Sequence, residues 1–370
     1  MQRTFAMLVL LAGVTTSGQA QRSWQTEFGI QGGFTRLVAA GTGGDPTDAF
    51  SLPGFNLGSL APSAAGLYVI VPWSQKLAVE ADVAASQFTT GATATLLSVD
   101  IRGDYALTRS IYAAAGGALT YNNGLGANET QLGIQGALGY RYRLSRALNA
   151  RLEARATFFG KAENVGPVDT YSVLLGVSTV TSRGRAGRST STASTRRAWT
   201  PQLGIAGGYA NVHLVGGGSL SALAVPGYGG ALGPALGSGP GFSEVTLPPT
   251  VFAIIPVGDK IAVEPALDIH RFQTSGQTDF SGNLSVRLDY AVHGGWYGAV
   301  GGNLHYIKTT GVDAATRTGI NLGWGYRFPL VSALGGRVEL NYTMFGENTD
   351  LGLAPTNTFG LMFGATMPLR

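Results

Sequence analysis

Hydrophobic and polar residues alternate through most of the chain in short segments. In one such segment Leu132, Ile134 and Leu138 share one face, whereas Gln135 and Arg141 share the other. Successive side chains of a strand point to opposite faces, and a tilted strand crosses a bilayer in about ten residues. The pattern therefore predicts transmembrane β-strands that turn one face to lipid and the other to a polar interior.

The whole pattern occurs twice. Residues 67–180 are repeated, with substitutions, as residues 251–369: VPWSQKLAVEAD, which begins at Val71, returns as IPVGDKIAVEPA, which begins at Ile255. The offset from Pro72 to Pro256 is 256 − 72 = 184 residues, far longer than the roughly 20 to 50 residues of a solenoid repeat. Each copy is therefore a whole domain, and the chain is a tandem duplication.

Each copy contains about eight alternating segments. In the first copy they start near Phe28, Leu67, Leu77, Leu96, Ile111, Leu132, Leu148 and Tyr171. The connections alternate in length, with tight turns at 73–76, 107–110 and 144–147 and longer loops at 39–65, 122–130 and 160–169. Short turns on one side and long loops on the other are typical of an antiparallel up-and-down outer-membrane barrel.

Outward-facing aromatic residues are predicted to form two belts, as at the two interfaces of a membrane barrel. The belt near the short turns would comprise Tyr105, Tyr140, Tyr142, Tyr290, Trp296, Tyr326 and Phe328. The belt near the long loops would comprise Phe34, Tyr121, Phe158, Tyr171, Tyr209, Tyr306 and Phe359. The other interpretation is the aromatic core of a soluble β-sandwich.

Inward positions are mostly small, but large charged residues interrupt them at matching places in both copies. We expect these to form an ionic cluster in each lumen: Glu80, Arg102, Asp104, Arg141, Arg151 and Glu153, matched by Glu264, Arg287, Asp289, Arg327, Arg337 and Glu339. Desolvated charges are costly unless they are paired, so mutual salt bridges that plug a narrow lumen are expected. An ion gate or selectivity ring is the functional alternative.

The fold class predicted is all-β, with two tandem eight-stranded transmembrane barrels; one sixteen-stranded barrel is the alternative. Small residues around a compact ionic cluster favour narrow lumens, because an eight-stranded barrel is just wide enough to be filled by side chains. The predicted organisation is a signal peptide at 1–20, barrel repeats at 21–181 and 199–370, and a basic, Ser/Thr/Gly-rich flexible linker at 182–198.

Composition agrees with export to a membrane. Phe5 to Val14 is an apolar run after Arg3, and small residues end at Ala20, which is typical of a signal peptide. Only 12% of residues are charged and mean hydropathy is +0.15, against roughly 25% charged in soluble domains. The chain has no cysteine, so a disulfide-stapled secreted domain is excluded.

Several segments resemble the outer-membrane β-barrel family related to the OmpA transmembrane domain and the Opacity-type surface proteins. They are Gly29 to Phe34, Leu138 to Tyr142, Leu152 to Arg155 and Leu175 to Ser178. The resemblance covers essentially the whole mature chain, once per copy, and implies envelope integrity, adhesion or slow solute passage without catalysis. In that family the last strand typically ends in an aromatic residue, whereas this chain ends Met367-Pro368-Leu369-Arg370.

No catalytic, cofactor or metal site is predicted. His270 and His305 face inward near the outer end of the second copy, with Asp268, but the first copy has Ser86, Thr120 and Ala84 there. The expectation is a non-enzymatic envelope-structural or surface-interaction protein in the outer membrane of a Gram-negative-type cell. Its expected partners are membrane lipid, the barrel-assembly machinery and an extracellular ligand at the long loops, but no nucleic acid. A wide porin for small solutes and a rim-sited lipid hydrolase are the alternatives.

Overall fold

The computed structural model describes the chain as antiparallel β-structure. The described residues are 24–39, 46–52, 66–90, 92–124, 127–144, 148–163, 166–180, 198–214, 219–224, 230–231, 246–247, 251–274, 276–311, 313–331, 334–347 and 355–369. Within them, no helix is long and apolar enough to cross a membrane. The expected signal peptide and nearly all of the expected linker lie outside the described residues.

The alternating segments form long strands. Those of the first copy are β1 (Glu27–Ala39), β2 (Thr47–Leu52), β3 (Gly66–Pro72), β4 (Leu77–Thr90), β5 (Ala92–Ala106), β6 (Ile111–Gly124), β7 (Ala127–Arg143), β8 (Leu148–Phe159) and β9 (Val168–Val180). Those of the second are β10 (Gln202–Leu214), β11 (Ser219–Ala224), β12 (Gly230–Ala231), β13 (Thr246–Leu247), β14 (Val251–Pro256), β15 (Ile261–Thr274), β16 (Gln277–His293), β17 (Trp296–Thr309), β18 (Ala315–Val331), β19 (Leu334–Phe345) and β20 (Thr356–Pro368).

Eight strands of each copy close into a barrel. In the first copy β3 to β9 pair in chain order, and β1 joins β9 to β3, with Glu27 opposite Val180 and Ile70. In the second, β14 to β20 pair in order, and β10 joins β20 to β14, with Gln202 opposite Pro368 and Ile254. The prediction of two eight-stranded barrels is confirmed.

The outer surfaces of both barrels are apolar, and their interiors are polar. Leu132 and Ile134 are 67% and 70% exposed, whereas their neighbour Gln135 is buried. Residues predicted for the aromatic belts, such as Tyr142, Trp296 and Phe359, also lie on the exposed exterior. The alternation thus places the hydrophobic face toward lipid, as it does in a membrane barrel.

We call the end with the short turns the inner end. Two of the predicted turns form: the Trp73 amide donates to the Leu77 carbonyl at 2.9 Å, and the Leu107 amide donates to the Ile111 carbonyl at 3.0 Å. Residues 145–147 of the third turn lie outside the described residues. The loop predicted at 122–130 is much shorter in the structure, because β6 and β7 remain paired to Gly124 and Ala127.

The first long loop of each copy contains a strand that the sequence pattern did not predict. Within 39–65, β2 pairs with β1 on one edge and with β15 of the second barrel on the other. In the second copy β11 likewise pairs with β10 and with β4 of the first barrel. Both are six-residue strands, and their alternation is too short to distinguish them from an ordered loop. In the sequence, Pro53-Gly54-Phe55 of the first loop is repeated as Pro226-Gly227-Tyr228 in the second copy, which hints at a defined turn. Both segments lie outside the described residues.

Candidate functional site in the barrel lumens

Inward residues of β4, β5 and β8 form an ionic cluster in the first lumen. The Arg102 guanidinium donates to Glu80 at 2.7 Å and to Glu153 at 2.5 and 2.8 Å, and its Nε lies 3.2 Å from an Asp104 carboxylate oxygen. Arg151 donates to the second oxygen of Glu80 at 2.5 Å. We call these five residues, which are all buried, the first ionic cluster.

The second lumen contains the same arrangement on β15, β16 and β19. Arg287 donates to both oxygens of Glu339 at 2.6 Å, and it lies 2.8 Å from Glu264 and 3.2 Å from Asp289. Arg337 donates to Glu264 at 2.5 Å. These five buried residues are the second ionic cluster. Ten of the twelve predicted lumen residues are thus brought together, five in each barrel.

A tyrosine completes each cluster. The Tyr112 hydroxyl donates to Glu153 at 2.5 Å, and the Tyr297 hydroxyl donates to Glu339 at 2.6 Å. Each carboxylate therefore accepts bonds from an arginine and a phenol, which compensates its loss of water. Sequence reasoning missed both tyrosines, although each occupies the inward phase of its strand.

Glycine makes room for the central arginine. A Cβ built on Gly116 would lie 2.5 Å from the Arg102 Cβ, and one on Gly301 would lie 2.4 Å from the Arg287 Cβ. Real Cβ atoms do not approach so closely. Small residues on neighbouring strands therefore let large charged side chains fill a narrow lumen.

A buried tryptophan, which we call the tryptophan cap, lies at the inner end of each lumen below the cluster. The indole N–H of Trp24 donates to the Lys76 carbonyl at 3.1 Å, and that of Trp199 donates to the Lys260 carbonyl at 2.9 Å. Each indole packs edge-on against the cluster tyrosine, with ring centroids 5.8 Å apart at Tyr112 and 5.6 Å apart at Tyr297. Both tryptophans precede the first strand of their copy, so alternation gave no signal for them.

The remaining two predicted residues, Arg141 and Arg327, pack against the tryptophan caps. The Arg141 guanidinium lies 4.3 Å from the centre of the Trp24 ring and pairs with Glu27. The Arg327 guanidinium lies 3.5 Å from the centre of the Trp199 ring, and it donates to the Ala198 carbonyl at 3.2 Å. The structure thus places Arg141 and Arg327 at the inner end of each lumen, outside the two clusters.

The first lumen has a further charged layer on the outer side of its cluster. Arg155 donates to Asp100 at 3.0 Å and lies 2.7 Å from Asp82, and Gln31 donates to Asp82 at 3.1 Å. The corresponding positions of the second lumen are small or neutral: Ala206, Ala266, Ser285 and Asn341. The first lumen therefore has a second layer of charged pairs at a height where the second lumen has small or neutral side chains.

The outer half of the second lumen carries a polar row that includes two charged residues, Asp268 and Arg317. Strand register places Asp268 opposite Asn283, Asn283 opposite His305, and His305 opposite Arg317. The Ser281 hydroxyl lies 3.2 Å from Nε2 of His305, which is 0% exposed. His305 therefore lies inside the lumen, away from the lipid-facing rim that a lipid hydrolase would use, and the side chain of His270 lies outside the described set.

No metal centre is found in the described part of the chain, where no three His, Asp or Glu side chains are grouped to hold an ion. In each lumen, the arginines and glutamates of the ionic cluster instead bind one another. Closed barrels with an apolar exterior and a salt-bridged polar interior define an integral outer-membrane β-barrel protein, because only a closed sheet leaves no unpaired backbone edge in lipid.

No protein-family model matches the chain, and no curated protein matches it. Among solved structures, the chain is similar to the monoaromatic hydrocarbon channel CymD at 11% identity, covering 95% of this chain and 89% of that one, with a TM-score of 0.29. It is similar to a FadL homologue of Pseudomonas aeruginosa at 11% identity, covering 94% and 91%, with a TM-score of 0.26. It is similar to the toluene transporter TodX of Pseudomonas putida at 10% identity, covering 93% of this chain and 90% of that one, with a TM-score of 0.27. At these TM-scores we base the class of the protein on its own strand pairing.

Proposed function

We propose that the chain is a non-enzymatic integral outer-membrane protein with an envelope-structural or surface-interaction role. We call the inner, eight-stranded part of each barrel its stem, and we propose that the two stems do not carry solute. The observation that supports this most directly is the pair of salt bridges that span the lumens. β4 and β8 lie four strands apart in an eight-strand ring, directly opposite each other, and Arg151 on β8 donates to Glu80 on β4. Arg337 on β19 donates in the same way to Glu264 on β15.

The tryptophan caps support the same proposal. Trp24 and Trp199 lie below the clusters and are 6% and 1% exposed. A solute that entered a stem would have to displace paired charges and then a packed indole ring. The ionic cluster and the tryptophan cap are present in both copies. The duplication has therefore kept the side chains that obstruct each lumen.

The proposed partners follow from the two surfaces of the protein. The apolar exterior fits outer-membrane lipid, and insertion of such a barrel requires the assembly machinery. The resemblance to the OmpA and Opacity-type proteins adds an extracellular ligand at the outer loops. The charged side chains of the two ionic clusters are engaged with one another, and we propose that the chain has no catalytic activity.

A single wide porin for small solutes is the second candidate. It is favoured by the pairing of β2 with β15 and of β11 with β4, which joins the outer parts of the two barrels. Such a porin would need an open route through at least one inner stem.

Planar-bilayer recording on the refolded full chain separates the two candidates. We expect no steady wide-channel conductance, because both stems are closed. A large, persistent conductance in the unmodified protein would favour the porin and remove the plugged-barrel proposal. Envelope lipid analysis tests the absence of catalysis: His305→Ala should leave lipid composition unchanged, and a change would point to a hydrolase.

A further inference from the structure

Strands of each barrel change partners halfway along their length. β1 pairs with β3 from Glu27 to Gln31 and with β2 from Gly33 to Leu37. β4 pairs with β3 from Ala78 to Val83 and with β11 of the other copy from Ser86 to Thr89. The short strand β3 therefore lies between β1 and β4 only in the inner half of the barrel.

Strands of the second barrel also change partners halfway along their length. β10 pairs with β14 from Gln202 to Ile205 and with β11 from Gly208 to His213. β15 pairs with β14 up to Leu267 and with β2 of the first copy from Ile269 to Gln273. Each copy thus has one hairpin, β1–β2 or β10–β11, whose second strand pairs with a strand of the other copy. We call these two the exchanged hairpins.

A glycine marks the point of divergence in both copies. A Cβ on Gly33 would lie 2.2 Å from the Val173 carbonyl oxygen, and one on Gly208 would lie 2.1 Å from the Leu361 carbonyl oxygen. These carbonyls belong to β9 and β20, which pair with the other edge of the first strand. A residue without a Cβ is therefore required at this point in both repeats.

We infer that the exchanged hairpins, rather than the linker, join the two repeats, so that their outer halves form one continuous wall around a common outer compartment. The closed order of that wall is β1, β2, β15 to β20, β10, β11, β4 to β9 and back to β1. It has sixteen strands, and it stands on two separate eight-strand stems.

The interaction surface is the outer edge of β2 and of β11 in the exchanged hairpins. Each of these edges pairs with the other repeat. Separating the repeats would remove the backbone partners of β2, β4, β11 and β15 along these edges, which is unfavourable wherever water cannot replace the lost hydrogen bonds. The hairpin β1–β2 is also held internally, since Arg36 donates to both carboxylate oxygens of Asp48 at 2.6 Å. The two repeats should therefore behave as one interlocked unit.

Cleavage of the linker tests this inference on the full chain. A recognition site for a sequence-specific protease is placed within 182–198, the protein is folded in detergent and cut, and the fragments are run on a gel with and without boiling. We expect the two fragments to migrate together until they are boiled. Fragments that separate without heating, each as its own compact species, would overturn the inference.

Engineered disulfides test the strand register, and the absence of native cysteine makes them unambiguous. Ser86 faces Ala224 across the seam between β4 and β11, and paired Cα atoms of antiparallel strands lie about 4.5 to 5.5 Å apart, within disulfide range. Oxidised Ser86→Cys/Ala224→Cys protein, cut at the linker, should remain one band of monomer mass after boiling without reductant. Ser51→Cys/His270→Cys should do the same at the other seam.

The matched control is Ser86→Cys/Ser221→Cys, which is three residues out of register on the same strands, about 10 Å along the strand. It should not cross-link. Cross-linking of the control as readily as of the test pair, no cross-link at either seam, or a band of dimer mass would each contradict the interlocked arrangement. The last outcome would place the exchange between two molecules.

Discussion

The Arg151 guanidinium donates a 2.5 Å hydrogen bond to Glu80 from the opposite wall of the first barrel. Arg337 donates to Glu264 at 2.5 Å in the same way in the second barrel. Because both partners are buried, each is expected to stabilise the other while closing the lumen.

Removing one charge of this pair should destabilise the protein strongly. We expect Arg151→Met to lower the free energy of unfolding by about 3 to 5 kcal/mol, because it leaves Glu80 buried with one ion-pair partner fewer. Urea unfolding in detergent measures this. Arg109→Met, at an exposed turn position, is the control and should change stability by about 0.5 kcal/mol or less. Equal effects of the two substitutions would mean that the salt bridge contributes little.

The two lumens should respond differently to the same substitution. Glu264→Gln weakens the ionic cluster of the second lumen, which has no counterpart of the layer formed by Asp82, Asp100 and Arg155. Glu80→Gln leaves that layer of the first lumen in place. Single-channel recording should therefore show a larger rise in conductance for Glu264→Gln than for Glu80→Gln. A larger rise for Glu80→Gln, or equal rises, would show that the additional layer does not close the first lumen.

The tryptophan cap should contribute to stability through packing. Trp199 is 1% exposed and contacts Tyr297 and Arg327, so Trp199→Ala should cost about 3 to 5 kcal/mol in thermal or urea unfolding. Trp73 is 77% exposed in a turn, and Trp73→Ala should cost about 0.5 kcal/mol or less. If Trp199→Ala is as mild as the control, the cap is not a packed element.

Adjacent glycines of β6 provide a matched pair. Gly116→Ala would place a methyl group 2.2 Å from the Ile101 carbonyl oxygen, whereas Gly117→Ala would meet no atom closer than 3.8 Å. We expect Gly116→Ala to destabilise the barrel by about 1 to 3 kcal/mol and Gly117→Ala to be close to neutral. The refolded variants are compared by the temperature at which heating changes their gel mobility. Similar temperatures for both would refute the tight fit around Arg102.

Much of the fold follows from the sequence, because period-two alternation depends only on the local geometry of a strand. It gave the lipid-facing positions such as Leu132 and Ile134, the eight barrel strands per copy and the short turns. The duplication identified the charged positions of the lumens, since the same fold had to accommodate Glu80 and Glu264 in equivalent places.

The tertiary structure decided which groups meet. Arg141 and Arg327 share the inward phase of the cluster residues, but their height along the barrel places them beside tryptophans that lie outside any alternating segment. The exchange of β2 and β11 between repeats was also settled only in three dimensions. Backbone hydrogen bonds carry no residue identity, so an edge strand could pair equally well within its own repeat, and only the closure of the complete wall selects its partner.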